Sequence, residues 1–298
     1  MLAGIPVRKY LRIPVVLHRT AIGAAEHDAL NLAQSAAYSA MVSLFPALIV
    51  AAALFALLPD TASIRTQVEE LIYRFLPSDV IPLLEGYFAP SRHAKSIHVI
   101  ISALVVSVLG ASTVITTFME GLRRAHHLPY DCWTFWGRRI RALLLVPLSL
   151  IPLGVASSLV IFGNFLTSWL VMHVAPEVRK PVFIVALVSR AVIEFVGSVG
   201  LFALIYHMGT PLRQPWRKVI PGAIAATTMW LLTTLIFGWY VTRFANYSQV
   251  YGSLGAGIAL LFWLYIVCLS VLCGAEFNEQ FHRHVHHDSA KIRSNSIA

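Results

Sequence analysis

The chain has 298 residues, of which 57% are hydrophobic and only 12% charged, with a net charge of +9 and a mean hydropathy of +0.71. Soluble domains carry roughly a quarter charged residues because water wets them on all sides. This composition therefore excludes a soluble fold, and its long uncharged runs indicate an integral membrane protein with no separate soluble domain. In that class a basic excess is topology-setting charge beside the spans, not a nucleic-acid surface. Cys132, Cys268 and Cys273 are odd in number, lack metal-ligand spacing and are read as free thiols.

Residues 1–30 open with Arg8, Lys9, Arg12 and Arg19, followed by the polar run "AEHDALNLAQ". An apolar core and a small-residue cleavage site would follow the basic stretch of a signal peptide. The segment is expected to be retained, cytoplasmic and laid on the membrane surface as an amphipathic helix.

Residues 31–281 form the membrane domain. A bilayer core needs about 20 helical residues to cross it. Six stretches qualify, at about 34–58, 97–117, 142–165, 182–207, 219–241 and 253–275. No period-2 alternation of barrel type occurs, so the expected class is all-α, a polytopic membrane protein of six transmembrane helices. A three-plus-three inverted repeat is compatible with the pattern but not demonstrated by it. Lys and Arg in the N-terminal segment, the 118–141 and 208–218 loops and the tail outnumber those in the other loops by about two to one. Both termini are thus expected in the cytoplasm.

The first span begins with polar residues. Gln34, Ser35 and Tyr38 lie close on one helical side, and Ser39 and Ser43 stand a turn apart on a neighbouring one. Pro46 frees the carbonyl of Val42 and is read as a kink. A polar-lined, kinked helix suits a cavity wall, and hydrogen-bonded helix–helix packing is the equal alternative. In the 59–96 loop, Ile64, Val68, Leu71, Ile72, Phe75 and Leu76 recur at helical spacing; beyond Pro77 a second apolar face comprises Ile81, Leu84, Tyr87 and Phe88. Two amphipathic extracytoplasmic helices are predicted, packed on the spans or covering an exit.

The 118–141 loop contains "RRAHHLPYD". Adjacent histidines point apart on a helix, so His126, His127 and Asp131 make a poor metal set. Within the fourth span, "LVSRAVIEFVG" places Arg190 and Glu194 one turn apart near mid-membrane. Each charge near a helix centre costs about 2.5–3.5 kcal/mol, so neither should face lipid. At i and i+4 the two share a helix face and can pair. A packing clasp and a place on a substrate or proton pathway are equally good readings. The sixth span opens with "YGSLGAGIAL", where Gly252 and Gly255 each precede a small residue four positions on, as in close helix packing. Glu276 and Asn278 follow, read as a cap or gate at the cytoplasmic end, in headgroup water. Residues 282–298, rich in histidine, are expected to be a disordered, solvated tail.

Enzyme signals are thin. No P-loop, HExxH spacing, nucleophile elbow or channel filter is present, and the acids are too scattered for a two-metal nuclease. The expectation is no enzyme, no cofactor, no metal and no nucleic-acid partner.

Four pieces carry a family resemblance: Ser43-Leu44-Phe45-Pro46, Pro221-Gly222-Ala223, Tyr251-Gly252-Ser253-Leu254-Gly255 and Gly274-Ala275-Glu276-Phe277-Asn278. With the surrounding spans, the chain from about residue 28 to 281 resembles the YihY/BrkB family of bacterial inner-membrane proteins. The resemblance implies a six-helix inner-membrane protein without an established reaction, with Pro221 and Gly222 as kink and packing positions. Ribonuclease and virulence or serum-resistance labels have been attached to that family, and the residues here give the first no support. Transport of lipids or lipid precursors has also been suggested for it. The resemblance implies a basic residue at the position of Arg190 and assigns no role to Glu194.

The expected function is therefore a transporter or flippase-like protein for a lipid-linked or amphipathic anionic molecule. Arg190 would attract the anion and Glu194 would hold Arg190 or exchange a proton. Gln34, Tyr38, Ser39 and Ser43 would line the route. No nucleotide-binding motif is present, so a gradient or partner would drive it. The alternative is a non-catalytic scaffold in envelope assembly. Expected partners are membrane lipids, with envelope-assembly proteins or a second copy of the chain as candidates.

Overall fold

A computed structural model describes residues 13–56, 97–173, 176–212, 214–244 and 253–295. They form seven helices: α1 (Ile13–Glu26), α2 (Ala29–Ala56), α3 (Ile97–Ala125), α4 (Phe135–His173), α5 (Pro176–Met208), α6 (Trp216–Phe244) and α7 (Ser253–Asn295). Helices α2 to α7 are each long and apolar enough to cross a membrane, as their uncharged runs predict. With no water in the hydrocarbon to satisfy backbone N–H and C=O groups, the bonds must close within each helix. The chain is all-α among the described residues, and the expected class holds. The two amphipathic helices expected in 59–96 lie outside the described residues.

The six long helices form a ring in chain order. Each packs on the next, and α7 closes on α2. Neighbours run antiparallel: Ser43 of α2 meets Gly110 of α3, while Leu32 meets Gly121. The same reversal appears where Gly197 of α5 faces Ala156 of α4, and where Gly222 of α6 faces Gly274 of α7. The contiguous buried core lies in one half of the ring, at Ala33–Ala37, Ile115–Leu122, Ala142–Leu145, Phe202–Tyr206, Val219–Ala226 and Cys268–Ala275. This half adjoins the 126–134 and 209–215 connections, and it is called the basic end below.

Two expectations are corrected. Helix α1 does not simply lie on a surface: Val16, Thr20 and Ala24 form a buried stripe, and the helix packs on α7 and α2. Its other apolar residues, Val15, Leu17 and Ile22, remain exposed. The tail is not a separate disordered segment, because α7 continues as helix to Asn295. No Gly or Pro interrupts it after Gly274, and each further residue extends a helix that is already nucleated. Several helices also outrun their apolar cores. Helix α3 continues to Ala125, beyond the expected limit near 117, and there Glu120 binds Arg123 and Arg124 within the last turns.

Candidate functional site

On α5, Val188, Val192 and Val196 are more than half exposed, as suits lipid-facing positions. Arg190, Glu194 and Gly197 lie on a half-buried stripe instead. That stripe turns toward α4: a Cβ placed on Gly197 would stand 2.5 Å from the Cβ of Ala156. Both charges therefore lie off the most exposed face of α5, the placement that their transfer cost in hydrocarbon favours.

The predicted pairing of Arg190 with Glu194 is not formed. Arg190 Nε is buried without a hydrogen-bond partner, and Arg190 and Glu194 form no ion pair among the described residues. The order of the two residues explains this. Helical side chains lean toward the N-terminus, so Arg190 leans away from Glu194; the favourable arrangement has the acid first. Helix α6, packed on α5, adds Thr234 Oγ1 and Trp230 Nε1, also buried without partners. Arg190 and Thr234 lie equally far along their helices from the 209–215 connection, as do Glu194 and Trp230. Trp230 is tied to α5 by an edge contact with Phe202, at 6.1 Å between centroids. Unpartnered buried polar atoms thus occur on both helices of one packed pair.

The first-span residues do not join them. Tyr38 is 66% exposed and Gln34 is exposed as well, so neither packs in the buried core of the ring. Ser39 donates to the carbonyl of Ser35, and Ser43, buried against Gly110, donates to that of Ala40. The inward face of α2 is Ala33, Ala36 and Ala37. In a membrane, helix faces meet where side chains are smallest, not where they are most polar. Pro46 sits inside an unbroken α2.

The basic end holds a second, denser set. A Cβ on Gly222 would meet the carbonyl oxygen of Gly274 at 2.6 Å, so α6 and α7 cross almost backbone to backbone. Just after Pro221, the Gly222 N–H donates to Asn278 Oδ1 at 3.1 Å. His282 Nε2 lies 2.7 Å from the Lys218 carbonyl, one turn before Gly222. Tyr206 of α5 donates to the Val271 carbonyl at 2.5 Å. Asn278 thus braces the helix just after Pro221.

Glu276 was expected in headgroup water, and it is 2% exposed. Helix α1 covers it: Gly23 is in contact with the carboxylate, His27 Nδ1 lies 2.9 Å from Oε2, and Gln280 Nε2 donates to Oε1 at 2.9 Å. His27 also meets His127 edge-on at 4.8 Å. His127 and Asp28 both carry positive φ, 50° and 64°. Such backbone costs about 1–2 kcal/mol for a residue with a Cβ. Arg124 ties the two turns together, donating to the His27 carbonyl and to Asp28 Oδ2, both at 3.3 Å. No group of three metal-ligating side chains occurs among the described residues. Gly255 is buried in α7, and Gly252 lies outside the described residues.

The family model described as "Virulence factor BrkB" matches residues 21–297. The chain belongs to the BrkB family. Among BrkB-like relatives, a protein named as ribonuclease-like, YfkH of Bacillus subtilis, is 24% identical over 86% of this chain and 91% of its own length. A UPF0761 membrane protein of Alteromonas mediterranea is 29% identical over 81% of this chain and 79% of its own length. One from Tolumonas auensis is 26% identical, covering 84% and 80%. No solved structure matches the chain.

Sequence reasoning missed several residues of this BrkB protein. His27 and Glu276 are 249 positions apart, and no local pattern links them. Thr234 and Trp230 are ordinary residues of an apolar span until the packing of α6 on α5 buries their polar atoms. Gly274 had a legible signal: Ser270 precedes it by four positions, as Gly222 precedes Ala226, and small residues so spaced mark close crossings.

Proposed function

We propose that this multi-pass membrane protein moves a lipid-linked or amphipathic anionic molecule between leaflets of a bacterial inner membrane, with both chain ends cytoplasmic. The observation that carries the reading is Arg190 Nε, buried on the inward stripe of α5 with no protein acceptor. Intramembrane ionisable groups are expensive and mark substrate or ion pathways. Arg190 attracts the anionic group; Glu194, without a hydrogen bond to its carboxylate among the described residues, is free to exchange a proton or contact the cargo. Thr234 and Trp230 supply further unpartnered hydrogen-bonding groups on the neighbouring helix. Nothing in these groups pairs a nucleophile with a base, so the reading is transport and not catalysis.

Reconstitution into vesicles with labelled anionic and zwitterionic lipids, scoring movement between leaflets, tests it. The wild type should move an anionic lipid, and folded Arg190→Gln should lose that movement. Equal rates for the two proteins would overturn the role of Arg190. No movement of any lipid class by folded wild type would favour a scaffold in envelope assembly.

A further inference from the structure

A cavity of about 650 Å³ opens at the basic end between α4, α5 and the 209–215 connection, with Arg141, Leu144, Leu145, His207 and Gln214 among its lining residues. We propose that it binds the phosphate of an acyl-bearing lipid, with Arg141 and His207 holding the anion. The proposal needs only that the chain spans a membrane, and it stands whether or not Arg190 serves transport.

Three observations converge. First, Arg141 has a charge that no carboxylate among the described residues compensates. Its neighbours Arg123, Arg124 and Arg138 are bound to Glu120 or Asp28. Arg141 makes no carboxylate pair among the described residues; its guanidinium lies 3.9 Å from the centroid of the Trp133 ring. Stacking holds the guanidinium plane while leaving its edge N–H groups to a bidentate oxyanion. Second, His207 is oriented by stacking on Trp216, with centroids 4.3 Å apart, and its Nδ1 is buried without a partner. A phosphate oxygen would satisfy it. Third, the rim is apolar and open: Leu144 is 60% exposed, and Met208 and Leu212 are also exposed. Trp136, Phe135 and Trp216 are exposed around the same end, as aromatic residues are at the membrane–water boundary. A free anion gains nothing from that rim, whereas acyl chains do. The volume falls within the range of about 300–1,000 Å³ usual for small-molecule sites.

Native mass spectrometry of the full chain in neutral detergent decides the matter, using phosphatidylglycerol, diacylglycerol with the same chains, and inorganic phosphate as probes. Phosphatidylglycerol should bind at least about tenfold more tightly than either of the others, and Arg141→Gln should weaken it by about tenfold, the worth of one charged hydrogen-bond set. His207→Phe, which keeps the stack on Trp216, should weaken it about threefold, and this arm stands even where Arg141→Gln does not fold. Arg217→Gln, a nearby loss of the same charge, should bind as the wild type does. Equal binding of diacylglycerol would reduce the cavity to an apolar groove, and equal binding of inorganic phosphate to a plain anion site. Unchanged affinity in both the Arg141 and His207 variants, or an equal loss in Arg217→Gln, would also overturn the proposal.

Discussion

Two carboxylates in this ring meet opposite treatment. Glu276 is enclosed by α1, accepts from Gln280 and lies against His27, beside a crossing where Gly222 and Gly274 bring two backbones together. Glu194 sits half-buried on α5 with no side-chain hydrogen bond among the described residues, a turn from an arginine whose Nε is unpartnered. Both residues were desolvated by folding, but only the first had its lost water replaced by protein groups. A buried charge with a complete set of partners is committed to holding helices together. A buried charge without them has its remaining bonding capacity available to another molecule. The contrast separates a structural seam at the basic end from a candidate pathway farther along α5 and α6.

The comparison breaks most visibly at the crossing. Gly274→Val would drive a side chain into Ala226 and the Gly222 carbonyl, and the overpacking should destabilise the protein by about 3 kcal/mol, read as a large loss of thermal stability in detergent. Glu276→Ala leaves His27 and Gln280 without their acceptor and should cost about 2 kcal/mol. Glu276→Gln can still accept from Gln280 and donate to His27, so it should recover much of that stability; equal losses in both variants would mean that the carboxylate's hydrogen bonds are not what holds α1. In the other region the expectation inverts. The double change Arg190→Leu with Glu194→Leu removes two charges that the protein does not pair, so unfolding measurements should show unchanged or raised stability, while leaflet-to-leaflet movement of labelled lipid disappears. A marked loss of stability would turn the stripe into a second seam. The smallest effect is expected at Tyr38→Phe: with the phenol exposed on the outside of α2, stability should stay within about 0.5 kcal/mol and lipid movement at the wild-type rate.

The membrane class, the number of spans and the antiparallel alternation were legible because they depend on local quantities. Uncharged run length fixes whether a segment can cross a bilayer, and a chain that has crossed once must cross back, so consecutive spans reverse. The cost of a charge in hydrocarbon likewise gave the expectation that Arg190 and Glu194 avoid the most exposed face of their helix, and both lie half-buried. Their pairing was not legible from spacing alone, since it depends on side-chain direction as well as on a shared face. Gln34 and Tyr38 illustrate a different limit. Polarity suggested an inward face, but helix contact is decided by fit against the neighbour, and alanines fitted better.

What the amino-acid order by itself determined is the set of six long apolar helices and the presence of two charges within one of them. Only the tertiary structure decided which polar groups are satisfied. His27 reaches Glu276, and Asn278 reaches the Gly222 N–H, across helices far apart in sequence; Arg190 finds no such partner at Nε. The physical reason is that helix formation satisfies each backbone segment from within, whereas a buried side chain depends on whatever surface the ring brings against it.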